Sequence, residues 1–206
     1  MELFPDPRNS TPEGIVAIGG QCDADTLKQA YKKGIFPWPQ PGYPMIWFSP
    51  DPRGVLDFKE LHIPKSLSKW AKDHKHWEYT ENKAFSEVIE ECSKQKRPGQ
   101  SGTWILPEMV QGYKDLHEQG MVLSIECWER EKLIGGIYGV LTKKYFSAES
   151  MFFKKSNASK MCLWMLIKNL QKRGFTWMDI QMVTPVTKSL GGKLITREEF
   201  LGRISK

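Results

Sequence analysis

The chain has 206 residues, 40% of them hydrophobic, which is enough for one well-filled domain or for a small domain joined to a larger one. Its 30 basic residues exceed its 24 acidic ones, and the net charge of +6 favours polyanionic partners without requiring one. No apolar run approaches the roughly 20 residues of a membrane span, and the start lacks the pattern of a secretory signal, so we expect neither membrane insertion nor secretion.

Cysteine and histidine usage argues against metal sites and disulfide bonds. The four cysteines are scattered singly, and the four histidines form no ligand cluster. Zinc sites and disulfide frameworks usually show paired spacings of these residues. We therefore expect free thiols, no bound metal and a reducing cytoplasm.

The first half of the chain predicts helices around one irregular aromatic segment. Six prolines between Pro37 and Pro52, interleaved with aromatic residues, exclude a regular helix there. Apolar residues at helical spacing, bounded by proline, glycine or acidic residues, predict helices over 25–33, 65–73, 82–95 and 107–119. The charged proline-glycine break after residue 95 predicts an N-terminal domain over 1–97 and a second domain over 98–206.

The second half changes to strands. Segments 122–128, 133–141 and 145–152 predict an antiparallel meander. A helix capped by Ser159 and running to Arg173 is apolar on most sides, so it should be buried, and a strand over 176–181 follows. Thr196 and Glu199 form a capping box for a last helix. This order resembles the acetyltransferase-like (GNAT-like) fold, so the predicted class is α/β (α+β), with a small N-terminal domain before a GNAT-like domain.

Three polar residues near the end of this pattern are candidates for chemistry. Asp179 and Gln181 lie two apart on a predicted strand, so they project from one face. An ordinary solvent-facing strand would give the same pattern. Glu149 interrupts an apolar strand, where a carboxylate is costly unless it is paired or hydrated. An ion pair with a lysine would explain it equally well.

Basic and aromatic residues could bind RNA. Lys65, Lys69, Lys72 and Lys75 recur at helical spacing and could follow a phosphate backbone, although a solvated helix face is the simpler explanation. Flat rings could stack on an unpaired base, as single-stranded RNA ends are usually held, or they could simply pack in the proline-rich loops. The candidates for this stacking are Trp38, Trp47, Trp104 and Tyr113.

Several motifs in a fixed order resemble the bacterial leucyl/phenylalanyl-tRNA-protein transferases. The most specific are Gly34-Ile35-Phe36-Pro37-Trp38, Trp47-Phe48-Ser49-Pro50-Asp51-Pro52-Arg53 and Ala148-Glu149-Ser150-Met151-Phe152. Shorter matches lie at 61–63, 102–105, 135–140, 157–160, 179–181 and 189–191. Together they span nearly the whole chain.

The resemblance implies a cytoplasmic, monomeric enzyme that moves Leu or Phe from aminoacyl-tRNA to a protein with an N-terminal Arg or Lys and so marks that protein for degradation. It makes Asp179 and Gln181 the catalytic pair, with Glu149 beside the reacting centre. It assigns the tRNA 3′ end to Tyr31, Trp38, Trp104 and Tyr113, and the tRNA backbone to Lys65 and Lys69. It assigns the aminoacyl pocket to Ile137, Met151, Leu163, Leu166, Leu170 and Met178.

Such a reaction needs no cofactor, because an aminoacyl ester is already activated. The chain departs from the family at Val186, where a histidine is expected, and at Leu166 and Leu170, where aromatic residues are expected, so the preference between Leu and Phe stays open. Three alternatives remain: a CoA-dependent acetyltransferase, a tRNA-dependent transferase that builds peptidoglycan cross-bridges, and a non-catalytic RNA-binding module. The first would need a glycine-rich turn before the buried helix, and 154–159 contains no glycine.

Overall fold

A computed structural model describes residues 3–40, 42–95 and 103–205. In chain order its helices are α1 (Ala24–Lys32), α2 (Lys65–Asp73), α3 (Phe85–Lys94), α4 (Pro107–Glu118), α5 (Ala158–Lys172), α6 (Pro185–Ser189) and α7 (Arg197–Ser205). Its strands are β1 (Ile15–Ile18), β2 (Phe36–Pro37), β3 (Ile46–Phe48), β4 (Arg53–Asp57), β5 (Glu78–Glu81), β6 (Val122–Glu129), β7 (Lys132–Leu141), β8 (Phe146–Phe153), β9 (Trp177–Gln181) and β10 (Lys193–Ile195).

The main sheet has seven strands in the order β10-β4-β9-β8-β7-β6-β5. Strands β5 to β8 form an antiparallel meander, and β9 returns parallel to β8 after the crossover helix α5. This confirms the predicted α/β class and the predicted succession of meander, buried helix and strand. No helix in the described ranges is long and apolar enough to cross a membrane.

Helices cover both faces of this sheet. Strand residues that alternate along β6 to β9 contact α5 on one face, in a cluster that includes Ile137, Leu166 and Met178. Residues of the opposite face, such as Tyr138, pack in a cluster with α1, α3 and α4. Alternating side chains on strands make this division possible, since each strand supplies both layers.

A second, three-stranded sheet of order β1-β3-β2 carries the aromatic segment. The proline-rich stretch does exclude a helix, as predicted, but its two ends pair as the short strands β2 and β3. The predicted division at 97/98 falls within 96–102, outside the described residues. Strands from both sides of that point, β4 and β6 among them, belong to the same seven-stranded sheet.

Most predicted elements are confirmed, and the errors concern their ends. The third helix begins at Phe85 rather than Asn82, because Asn82 adopts a positive φ of 53° and its side chain accepts from the Ser124 N–H at 2.8 Å. Ser159 is not the cap of α5, since that position is taken by Asn157, whose side chain makes no capping bond.

The capping box before α7 is only half formed. The Glu199 N–H donates to the Thr196 hydroxyl at 3.1 Å, but the Glu199 carboxylate accepts from Arg203 instead of turning back to the cap. All four cysteines are free and buried.

Candidate active site

The strand that carries Asp179 and Gln181 is buried, which rules out the solvent-facing alternative. Asp179 is 0% exposed and Gln181 is 4% exposed. The Asp179 carboxylate accepts two hydrogen bonds from the guanidinium of Arg53, at 2.9 and 2.7 Å, and a third from the Ser147 hydroxyl at 2.9 Å. Both of its oxygens are therefore already engaged inside the protein.

Arg53 is held as firmly as its partner. It is 0% exposed, its guanidinium lies between the rings of Phe36 and Phe200 at 4.6 and 4.4 Å, and it donates to the Gly34 carbonyl at 3.2 Å. Burial works against the positive charge, but the Asp179 carboxylate outweighs it, so the pKa of Arg53 is raised. This bidentate pair fixes the orientation of the Asp179 carboxylate, because the planar guanidinium of arginine matches a carboxylate.

Glu149 lies on a β-bulge of β8. Tyr138 pairs with Ser150 and Gly139 pairs with Ala148, so Glu149 has no partner of its own on β7. A bulge of this kind re-aims a side chain and is common beside active sites. The Glu149 carboxylate accepts from Gln181 Nε2 at 2.9 Å.

The remaining contacts of Glu149 set its protonation. The Tyr113 hydroxyl donates to it at 3.3 Å, and the Ser147 oxygen lies 3.1 Å away, so Glu149 and Asp179 share the single Ser147 proton. Desolvation, aided by the negative charge of Asp179, raises the pKa of Glu149 to about 7, against the lowering influence of hydrogen-bond donors, foremost Tyr31 and Gln181. Because the residue keeps a partly exposed face, it can exchange a proton with a bound substrate. The alternative of a lysine partner is excluded, because hydroxyl and amide donors surround the carboxylate instead.

Gln181 is held in a strained backbone conformation. Its φ is 58°, and the Met182 N–H donates back to the Ile180 carbonyl at 2.6 Å, which closes a γ-turn around Gln181. Gly54 makes room for this turn, since a Cβ there would lie 2.9 Å from the Met182 backbone. The side-chain amide is thereby directed toward Glu149.

Strands β8 and β9 pair where Ser147 lies opposite Asp179. Glu149 and Gln181 lie beyond that pair on their strands, and their side chains bridge the gap. The buried Asp179 thus lies behind a carboxylate and an amide that join β8 to β9 by a hydrogen bond. A proton acceptor next to an oriented amide is suited to acyl transfer to an amine.

The predicted aromatic residues fall into two groups. Trp38 and Trp104 are partly exposed and stack on each other, with centroids 5.6 Å apart and planes 4° apart. Tyr31 and Tyr113 are 0% exposed, so they offer no ring face to a base, and their hydroxyls are 2.6 Å apart. Both tyrosines contact the same core cluster as the tryptophan pair.

The predicted aminoacyl pocket residues come together in the cluster under α5, where Met151 is the partly exposed member. The basic residues are placed elsewhere: Lys65 and Lys69 are exposed on α2, while Lys75 lies beyond the end of that helix and does not share its face. In the described part of the chain, no three His, Cys, Asp or Glu side chains could hold a metal ion together.

Sequence reasoning missed Arg53, Ser147 and Gly54 as parts of the site. Arg53 had one detectable signal, because it is the last residue of one of the three most specific motifs. Ser147 had none, since a serine two residues before Glu149 is unremarkable until β9 is placed beside it.

Comparison with known proteins identifies the family. The family model described as leucyl/phenylalanyl-tRNA protein transferase matches residues 55–205, and the model of its N-terminal domain matches residues 20–51. The leucyl/phenylalanyl-tRNA–protein transferase of Flavobacterium johnsoniae is 46% identical over 199 residues, covering 97% of this chain and 93% of the relative. That of Maridesulfovibrio salexigens is 42% identical over 205 residues, covering 99% and 85%.

Among solved structures, a GCN5-related N-acetyltransferase-like protein from Streptococcus suis matches with a TM-score of 0.44 and 14% identity, over 84% of this chain and 64% of that one. The two family models together cover most of the sequence, and both relatives are matched over nearly their full length. The chain therefore belongs to the leucyl/phenylalanyl-tRNA protein transferase family.

Proposed function

We propose that this protein transfers leucine or phenylalanine from aminoacyl-tRNA to the N-terminal Arg or Lys of an acceptor protein, in the cytoplasm and as a monomer. The product carries a new N-terminal residue that marks it for degradation. The observation that carries the proposal is the hydrogen bond between Glu149 on β8 and Gln181 on β9, with the buried Asp179–Arg53 pair behind it.

The reaction follows from these contacts. The acceptor's α-amine attacks the ester carbonyl, a C–N bond forms, the ester C–O bond breaks, and the 3′ oxygen of the tRNA leaves with a proton. Gln181 donates through Nε2 to Glu149, which leaves its amide oxygen free to accept from the amine. Glu149, with a pKa of about 7, receives the amine proton and can return it to the leaving oxygen.

Asp179 has a different role in this scheme. Its oxygens accept from Arg53, from Ser147 and from the Gln181 N–H at 2.9 Å, so it fixes the backbone of the residue that orients the amine. It positions rather than accepts the proton. The sequence left open whether Asp179 and Gln181 act as a general base or only position the amine.

The binding residues are proposed from family resemblance and placement. Trp38 and Trp104 hold the terminal adenosine, and Tyr31 and Tyr113 act through their hydroxyls, since their rings are covered. The pocket under α5 takes the apolar aminoacyl side chain, and Lys65 and Lys69 meet the tRNA backbone. A reaction of this kind uses no cofactor.

The test combines purified protein with labelled Leu-tRNA or Phe-tRNA and peptides that begin with Arg, Lys, Asp or Glu. We expect label on the Arg and Lys peptides alone, and none from acetyl-CoA used as an alternative donor. Gln181→Ala should reduce transfer at least about tenfold with little change in tRNA affinity. Binding of tRNA without label on any peptide would identify an RNA-binding module instead and refute the proposal.

A further inference from the structure

A cavity of about 200 Å³ lies where α2, the beginning of α5 and α6 meet. Its walls are formed by Pro64, Ser66, Leu67, Trp70, Asn157, Lys160, Val186, Ser189 and Leu190. None of these residues belongs to the Glu149 and Gln181 site, to the tryptophan pair or to the predicted aminoacyl pocket. The volume is below the roughly 300–1,000 Å³ of typical small-molecule pockets, so it suits a single ring system.

The walls combine one flat apolar side with one polar side. Trp70 is partly exposed and is fixed by His74, stacked at 3.6 Å, and by Trp77, edge-on at 4.6 Å. The exposed Lys160 supplies an ammonium group from α5, and Ser66 supplies a hydroxyl one turn before Trp70 on α2. The Ser189 hydroxyl donates to the Val186 carbonyl at 2.7 Å, so it can only accept from a ligand. A flat base with an attached phosphate needs this combination, since rings stack on aromatic residues and phosphates accept from lysine and serine.

Three of the motifs that match the family, and that the proposed reaction leaves without a role, converge here. Segment 61–63 leads into the wall at Pro64, segment 157–160 supplies Asn157 and Lys160, and segment 189–191 supplies Ser189 and Leu190. The first and last are joined directly, because the N–H of His62 donates to the Leu190 carbonyl at 3.0 Å.

The surroundings of the cavity are strongly basic. Segments 64–73, 154–160 and 185–189 contain seven lysines and one acidic residue, Asp73. Lys154 and Lys155 are paired with glutamates elsewhere on the surface. The other lysines are exposed and carry their charge toward solvent, at Lys65, Lys69, Lys72, Lys160 and Lys188. Acceptors that begin with Arg or Lys would be repelled here, whereas a polyanion would be attracted.

We propose that this cavity binds one nucleotide of the aminoacyl-tRNA other than the terminal adenosine, with its base against Trp70 and its phosphate at Lys160. The inference rests on the proposed function for the identity of the RNA. It adds a second point of RNA contact, on the α5 side of the sheet, to the one formed by the tryptophan pair. It also gives Lys65 and Lys69, which would meet only the tRNA backbone, a neighbouring site that contacts a base.

The first experiment measures binding of deacylated tRNA to Lys160→Glu and to a matched control, Lys168→Glu. Lys168 is exposed over the ring of Trp164, eight residues further along α5, and does not line the cavity. Both variants change the net charge equally. We expect Lys160→Glu to raise the Kd about tenfold or more and Lys168→Glu to raise it less than about threefold.

The second experiment fills the cavity without changing charge. Ser66 is exposed at the first turn of α2, so Ser66→Trp should be tolerated by the fold and should weaken tRNA binding by about fivefold or more. If neither variant weakens binding more than Lys168→Glu, the proposal is wrong. If both raise the KM of the acceptor peptide and leave the tRNA Kd unchanged, the cavity belongs to the acceptor, and the proposal is equally wrong.

Binding of deacylated tRNA does not depend on transfer. A wild-type protein that binds tRNA through this cavity but labels no peptide would overturn the proposed function and leave the nucleotide site standing. If the wild type transfers normally but the Lys160 and Ser66 variants bind tRNA unchanged, the nucleotide site is wrong and the proposed function stands.

Discussion

Replacing Glu149 by glutamine should yield a protein that is more stable and far less active. The substitution keeps the shape of the side chain, and its amide oxygen can still accept from Gln181, as the carboxylate does at 2.9 Å. The substitution removes the Glu149 carboxyl, whose ionisation is unfavourable because the site is desolvated. Stability and catalysis should therefore change in opposite directions.

The size of the stability change follows from the protonation of Glu149. Folding raises its pKa from 4.5 to about 7, mainly by desolvation, so between these values the folded protein holds a proton that the unfolded chain has lost. This contribution to stability therefore falls as pH rises through that window, and stays low above it. The full difference is roughly 3 kcal/mol at about 1.36 kcal/mol per pKa unit, and the partly exposed face reduces it to about 2 kcal/mol.

Urea unfolding at pH 5 and pH 8 measures this difference. At pH 8 Glu149→Gln should unfold with a free energy about 2 kcal/mol above that of the wild type, and at pH 5 the gap should shrink to well under that value. Transfer at pH 8 should fall about 100- to 10,000-fold, the usual contribution of a general base. If the wild type and Glu149→Gln show parallel dependence of unfolding free energy on pH, or if transfer is undiminished, Glu149 is not a proton acceptor with a raised pKa.

The other predictions concern the parts that support this centre. Arg53→Met should cost about 3–5 kcal/mol in urea unfolding because it leaves Asp179 buried without its partner, and adding Asp179→Asn should recover most of that loss; no recovery would mean that the arginine acts through its packing alone. Gly54→Ala should reduce kcat about tenfold or more while circular dichroism stays unchanged, because the new Cβ meets the Met182 backbone at 2.9 Å, and normal kcat would show that the turn there is not needed. Leu166→Ala should cost about 2–5 kcal/mol in the same unfolding assay and raise the ratio of Phe to Leu transferred, whereas an unchanged ratio would place the aminoacyl side chain elsewhere.

Elements with strong local signals were predictable from the sequence. The helix over 65–73 appears with the predicted bounds, and Gly34 ends α1 with a φ of 73°, as a glycine stop should. The short strands β1, β4 and β10 were not predicted. Each has three to five residues and is stabilised by pairing with strands that are distant in the chain. Local periodicity in the sequence carries no information about such pairing.

The candidate site divides in the same way. Asp179, Gln181 and Glu149 were predicted from their place in ordered motifs. In the structure, Gln181 donates to Asp179 through its backbone N–H and to Glu149 through Nε2, and Ser147 also donates to Asp179. The sequence suggested that Gln181 orients the amine and that Asp179 acts through Gln181, but it left open whether either is a general base. Two residues on one strand face suggested a shared function, yet one is locked behind the other by an arginine that lies 126 residues away in the chain.

By itself, the sequence determined the class of fold, the buried helix, the absence of paired cysteines and the family, because these depend on composition, periodicity and motif order. Only the tertiary structure distinguishes the surroundings of the two carboxylates, to which we assign different roles. Asp179 and Glu149 both carry a carboxylate, but their surroundings differ. A buried guanidinium lies beside Asp179, whereas hydroxyl and amide donors surround the partly exposed Glu149. Protonation depends on desolvation and on neighbouring charges, and both are set by contacts between β4, β8 and β9 that arise only when the chain is folded.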